Sequence, residues 1–179
     1  DKPVYWCPDC NSALAEAEVE YKDKTSTSID FLFEMETSRV NEIFNTSVDE
    51  KIKTSFLSWT TTPWTIPGNV ALSVNPNLDY SLVEVKKDNS MQCLIICKDL
   101  IDSVLERCSI SDFTILSTKP GSILESAEAK HPYFDRKSTV ILGDHVTTEM
   151  GTGIVHTAPA HGLEDFHAVS YTHLTLPTR

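Results

Sequence analysis

Apolar and acidic residues alternate without a break from Ala15 to Tyr21, where Ala15, Ala17, Val19 and Tyr21 are interleaved with Glu16, Glu18 and Glu20. A period of two is the signature of a half-buried strand. Residues 12–21 are therefore predicted as a strand, although Ser12 also suits a helix cap ahead of Ala15 and Glu16. The stretch before them, Val4-Tyr5-Trp6-Cys7-Pro8-Asp9-Cys10, reads as a turn. Residues 22–28 form a polar turn, 29–35 an apolar and aromatic strand, and 38–49 a short helix or an irregular insertion. A strand over 53–59 runs into Thr60-Thr61-Thr62-Pro63-Trp64-Thr65-Ile66-Pro67-Gly68-Asn69, where two prolines and a glycine deny a long helix.

Residues 70–74 are a further strand, with Asn75-Pro76-Asn77 as its turn. Residues 80–86 and 91–97 read as hairpin partners around Lys87-Asp88-Asn89-Ser90. Residues 98–108 carry the clearest helical pattern, since Leu100, Val104 and Leu105 share a face with Ile101 beside them. Strands follow over 113–117 and 138–142, separated by loops that hold His131-Pro132-Tyr133-Phe134. Gly151-Thr152-Gly153-Ile154-Val155-His156-Thr157-Ala158-Pro159-Ala160-His161-Gly162 reads as a loop, a buried strand and a polar loop. Residues 163–169 then begin a helix, with Glu164 and Asp165 in the turn where the helix dipole favours acids. Many short strands and few helices predict a mostly β, α+β fold built on a closed or strongly curved, barrel-like sheet.

A length of 179 residues suits one domain, or one plus a small appendage. Residues 1–30 are expected to be a connecting ribbon with the first strands, and 31–169 the main domain. Ser170-Tyr171-Thr172-His173-Leu174-Thr175-Leu176-Pro177-Thr178-Arg179 shows no continuation of the preceding helix. It resembles translated vector or adapter sequence, so residues 170–179 are set aside as a non-native tail. No apolar run nears the roughly 20 residues that span a bilayer, and no signal-peptide pattern opens the chain. A cytoplasmic protein without a membrane partner is expected.

Charge narrows the partners. Lys plus Arg number 15 against 26 Asp plus Glu, a formal net charge of −11. A general nucleic-acid sleeve would need a basic stripe, so any nucleic acid must be gripped locally or by other parts of a larger protein. Five cysteines, Cys7, Cys10, Cys93, Cys97 and Cys108, make a full disulfide framework a poor fit and suit reduced thiols. Cys7 and Cys10 have the spacing of half a zinc knuckle, but no second pair follows at the usual distance. They are the weak metal candidates, and no metal is expected in this fragment.

Two segments carry candidate chemistry. Thr60, Thr61 and Thr62 set three hydroxyls at a strand end before the restrained Pro63. They can hold the hydroxyls of a terminal nucleotide and orient water, or simply satisfy backbone groups. Trp64 is more often core than a stacking surface for a base, though both roles are open to it. The second segment gathers His156, His161, Glu164 and Asp165 after Gly151 and Gly153. Imidazoles and carboxylates so placed can bind a metal, transfer protons or pair with an ammonium group, although the spacing is not that of a His-Glu-x-x-His site.

Together, the threonine-proline-tryptophan segment, the segment from Gly151 to Phe166 and the opening Lys2-Pro3-Val4-Tyr5-Trp6-Cys7-Pro8-Asp9-Cys10 resemble the editing domain of the isoleucyl-tRNA synthetase family, in its bacterial form. The likeness runs to about residue 169. It implies a barrel-like editing domain inserted into a class I catalytic core, of the type shared with valyl and leucyl enzymes. The implied activity is deacylation of valyl-tRNA(Ile) while isoleucyl-tRNA(Ile) is spared. The implied partners are the 3′ end of tRNA(Ile) carrying valine and the catalytic core of the parent enzyme, which joins isoleucine to tRNA with ATP and magnesium. No cofactor in this fragment and a monomeric state go with it.

The resemblance also implies roles. Thr60, Thr61, Thr62 and Trp64 meet the terminal adenosine, the threonines also positioning substrate. His156 shapes the side-chain sieve, and Asp165 receives the substrate ammonium. His161, Glu164, Gly151 and Gly153 give support. Two other classes of function are weighed beside this one: a non-catalytic module that binds tRNA or protein, and a metal-dependent hydrolase built on the histidine-carboxylate cluster.

Overall fold

Short runs of β-branched and aromatic residues make strands wherever a neighbour can complete their hydrogen bonds. The computed structural model describes residues 3–23, 25–87 and 90–171. A hairpin of β1 (Tyr5–Cys7) and β2 (Ser12–Leu14) stands apart from two larger sheets. The first is five-stranded, in the order β3 (Ile29–Met35), β4 (Lys53–Thr60), β7 (Ser90–Cys97), β6 (Asp79–Lys87), β8 (Phe113–Pro120). The second is four-stranded, in the order β11 (Ile154–Thr157), β5 (Ala71–Val74), β10 (Lys137–Leu142), β9 (Glu128–Lys130). β4 runs parallel to β7 and β5 parallel to β10; the other pairs are antiparallel.

One core joins the sheets. Phe33, Phe56, Leu82 and Ile95 from the first pack with Leu72, Val74, Val140 and Ile154 from the second. Helices α1 (Thr37–Phe44) and α2 (Ile101–Arg107) add Val40 and Phe44, and Ile101, Val104 and Leu105, to the same cluster. Side chains alternate across a strand, so Ala71 points away from that core. It meets Ile141 and Val169 of α3 (Leu163–Tyr171) in a second, smaller cluster. Across the layers, Ser58 Oγ on β4 donates to the Ile154 carbonyl on β11 at 2.9 Å.

The α+β composition with dominant strands is as expected, but the barrel-like sheet is not. Neither large sheet closes on itself: β3 and β8 are the two free ends of one ladder, β11 and β9 of the other. Closure requires the end strands of a ladder to pair with each other. Here the apolar faces are buried between two open sheets and under helices, so closure is not needed to hide them.

Residues 12–21 also differ from expectation. After β2 the chain turns through a 3-10 helix (Glu16–Glu18). Glu18 folds back so that its Oε2 accepts the Ala15 N–H at 2.7 Å, and Tyr21 lies exposed. The alternation had no neighbouring strand to pair with. The insertion at 38–49 resolves into α1, stopped by Asn45 in the left-handed region with φ 54°. The hairpin of β6 and β7 is present, with Asp88 and Asn89 of its turn outside the described residues. β9 was not foreseen; its three residues, Glu-Ala-Lys, are too few for a period. α3 runs on through Ser170 and Tyr171, and residues 172–179 lie outside the described residues. Among the described residues no helix is long and apolar enough to cross a membrane.

Candidate functional site

The threonine segment leaves β4 and tightens into a 3-10 helix (Pro63–Gly68). Proline suits that start, because the N–H it lacks would have no intrahelical partner. Thr60 is buried, and its Oγ1 accepts the Thr62 N–H at 3.0 Å. Thr61 and Thr62 are exposed. Thr65 Oγ1 donates to the Thr62 carbonyl at 2.8 Å. The three adjacent hydroxyls therefore divide: Thr60 caps the turn inward, Thr62 Oγ1 lies 3.2 Å from Thr60 Oγ1 at the surface, and Thr61 is exposed.

His156 sits on β11 opposite Leu72, with 8% of its surface exposed. Its Nε2 is 2.8 Å from Thr65 Oγ1, and its Nδ1 is 3.3 Å from Asn69 Nδ2. The direction of this chain can be derived. Asn69 Nδ2 donates to the Ala71 carbonyl at 2.7 Å, and Asn69 Oδ1 accepts from Ser138 Oγ at 2.6 Å, so the amide has one orientation. Its second N–H faces Nδ1, which must accept. Nε2 then carries the proton and donates to Thr65 Oγ1, whose own proton goes to the Thr62 carbonyl. A neutral imidazole with one donor and one acceptor nitrogen fits this completely. Burial, with the nearby His161 and His131 opposing a further positive charge, pushes the ring down to about 4. His156 is a buried, neutral ring with both nitrogens engaged.

A second cluster adjoins the first. The His161 ring lies against Gly68, where a Cβ would come within 3.0 Å of His161 Cδ2. Asp165, in the first turn of α3, accepts the Ala158 N–H on Oδ2 at 2.9 Å. Its Oδ1 has no hydrogen-bond partner among the described residues, and Glu164 beside it is exposed.

The remaining candidates stand elsewhere. Gly151 and Gly153 take left-handed φ of 84° and 72° and pack on Trp59 and Cys97, where a Cβ on Gly153 would lie 2.3 Å from that of Cys97. They shape the approach to β11. Trp64 projects from the 3-10 helix and is largely exposed. Cys7 and Cys10 face each other across the β1–β2 turn, with the Cys10 N–H donated to Cys7 Sγ at 3.4 Å. That bond, with the Asp9 N–H, holds the Cys7 thiol below its usual range. Among the described residues no group of three or more His, Cys, Asp or Glu is placed to hold a metal ion. A cleft of about 350 Å³ between β3 and β9, lined by Glu34, Arg39, Glu128, Lys130 and Lys137, excludes the threonines, His156 and Asp165.

Several residues of the network were not singled out in the sequence. Thr65 and Asn69 sit in the threonine segment, three and seven residues past Thr62. Ser138 gave no signal. Nor did the loop 131–136, which clamps the 3-10 helix: His131 Nε2 donates to the Ile66 carbonyl at 2.9 Å and Arg136 Nη2 to the Pro67 carbonyl at 2.6 Å.

The family described as tRNA synthetases class I (I, L, M and V) matches residues 1–167. The chain belongs to this family. Isoleucine--tRNA ligase of Shewanella sp. (strain W3-18-1) is 54% identical to the synthetase chain over 166 residues, 92% of this chain and 18% of the relative. That of Coxiella burnetii (strain Dugway 5J108-111) is 48% identical over the same shares. The synthetase chain thus spans 18% of the length of these relatives. Among solved structures, GlLeuRS-CP1 aligns at a TM-score of 0.67 with 19% identity, covering 80% of this chain and 59% of that one. The editing domain of P. knowlesi cytosolic leucyl-tRNA synthetase aligns at 0.67 with 16% identity, covering 88% and 68%. At these identities the likeness is one of fold, and the fold is that of a leucyl-type editing domain.

Proposed function

We propose that this synthetase chain is the editing module of an isoleucine-tRNA ligase and hydrolyses the valyl ester of tRNA(Ile) while sparing the isoleucyl ester. The observation that carries this reading is His156, a buried neutral ring bonded to the threonine segment and two residues before Ala158, whose N–H holds Asp165. Isoleucine and valine differ by one methylene, worth only about 1–3 kcal/mol in a single pocket, so a second, smaller pocket is required for fidelity. A rigid neutral ring suits the wall of such a pocket.

Asp165 Oδ1 pairs with the ammonium of the misattached valine, which orients the ester carbonyl toward water. Thr61 and Thr62 present hydroxyls to the terminal ribose, the attacking water and the developing oxyanion. Proton transfer is left to water and the ribose hydroxyl, because both His156 nitrogens are engaged. The same engagement withdraws His156 from the histidine-carboxylate cluster on which the metal-hydrolase reading was built. ATP and magnesium belong to the aminoacylation chemistry of the longer enzyme.

The test is deacylation. The chain, and the longer enzyme that contains it, should release valine from valyl-tRNA(Ile) far faster than isoleucine from isoleucyl-tRNA(Ile). Equal rates, or none from the longer enzyme, would remove the proposal, and binding without hydrolysis would support an inert docking module.

A further inference from the structure

The loop 131–136 is more tightly built than a connection between β9 and β10 requires. His131 Nδ1 accepts both the Tyr133 N–H at 3.1 Å and the Phe134 N–H at 3.2 Å, while His131 N donates to the Arg136 carbonyl at 2.9 Å. The Arg136 guanidinium lies 5.4 Å from the Phe134 ring centroid, and its Nη2 reaches the Pro67 carbonyl. Yet the loop spends this order on rings that face solvent. Tyr133 is 64% and Phe134 52% exposed, and Trp64, on the clamped 3-10 helix, is 66% exposed. Arg136 Nε is buried without a hydrogen-bond partner among the described residues, and such orphaned donors call for an explanation.

Fixed, exposed aromatic faces beside a guanidinium are what unpaired nucleobases stack on, because every base has a π face and arginine adds a cation–π contribution. The chain carries a net charge of −11, yet residues 130–137 hold Lys130, Arg136 and Lys137 against Asp135 alone. Lys130 and Lys137 are paired with Glu34 and Glu128, which leaves Arg136 to meet a phosphate and the exposed rings to carry most of the binding.

We propose that Tyr133, Phe134 and Trp64 form a stacking surface for the unpaired bases preceding the terminal nucleotide of a tRNA, with Arg136 holding the loop and meeting the strand. This rests on the reading that the chain receives a tRNA 3′ end. It adds a grip on the bases upstream of the ester.

The probe is an uncharged, fluorescently labelled oligoribonucleotide ending in unpaired ACCA, titrated with the full chain. It contains no ester, so its binding is independent of hydrolysis. Tyr133→Ala and Phe134→Ala should each weaken binding about tenfold. Tyr133→Leu and Phe134→Leu keep apolar bulk without a π face; they should weaken it nearly as much while the thermal midpoint holds. The valyl ester of adenosine alone, which lacks upstream bases, should be hydrolysed at parental rates by all four variants. Unchanged RNA affinity in the variants, parental affinity in the leucine pair, or no saturable binding by the parent chain would each overturn the stacking surface. Weakened RNA binding in variants of a chain whose longer enzyme hydrolyses neither ester would keep the surface and remove the editing reading instead.

Discussion

His156 is bonded at both nitrogens, and this separates its candidate roles. As a wall, His156→Ala should enlarge the pocket, so that isoleucyl-tRNA(Ile) begins to be hydrolysed while activity on the valyl ester persists. The change in discrimination should be about 1–3 kcal/mol. A general base would instead slow both esters together by about 10²–10⁴-fold; rates on the two esters, corrected for folded fraction, decide. Asp165→Ala should leave the fold in place and sharply reduce valyl-ester hydrolysis, since Oδ1 is its free oxygen; deacylation within twofold of the parent would remove that role. The ring also makes stability acid-sensitive. Its folded value of about 4 lies below the ordinary 6.5, so the unfolded chain binds the proton first as pH falls. The contribution is complete above about 6.5 and is lost down to about 4, of order 3 kcal/mol in all. Denaturation at pH 7 and pH 4.5 should show a smaller acid loss for His156→Gln than for the parent. The sequence showed that this histidine lay on a buried strand, but not its tautomer, which depends on Asn69 and Ser138 from other elements.

Elements were legible where a period had enough residues and a neighbour to pair with. β3, β4, β6, β7 and α2 met both conditions. Residues 12–14 paired with β1, residues 15–21 had the period without a neighbour, and β9 had the neighbour without the period. The threonine segment was recognisable as a turn from its prolines, but the clamp on it was not, because His131 and Arg136 act on backbone carbonyls that any residues supply. The glycines of the approach to β11 take left-handed φ and pack on Trp59 and Cys97. Gly153→Ala should destabilise the chain by about 3 kcal/mol, through a left-handed backbone and a Cβ driven into Cys97. The ratio of valyl to isoleucyl hydrolysis per folded molecule should not move. Urea denaturation alongside both deacylation rates checks this.

Over the whole molecule, the open ends of both ladders show what strand counting leaves undetermined. Short strands and turns establish a β-rich chain; which ends pair is a property of three-dimensional order. Charge was more telling. Lys130 and Lys137 already pair with Glu34 and Glu128, so few cations remain for phosphates. Binding of the short oligoribonucleotide should fall less than about tenfold when salt rises fourfold, as expected for one or two phosphate contacts. A steeper titration would point to a basic track not formed by this loop.

Ser58 and Ile154 meet across 96 positions of sequence, Thr65 and His156 across 91, and Asn69 and His156 across 87. Contacts of such separation carry a large loop-closure cost and are slow to form. β3, β4, β6 and β7 lie within residues 29–97 and pair among themselves. A chain emerging from the ribosome therefore exposes every threonine of the network well before its imidazole has been made. On the proposed function, the pocket cannot form before β11 has been made; it is completed when β11 pairs beside β5 and turns a loose run of hydroxyls into a sieve.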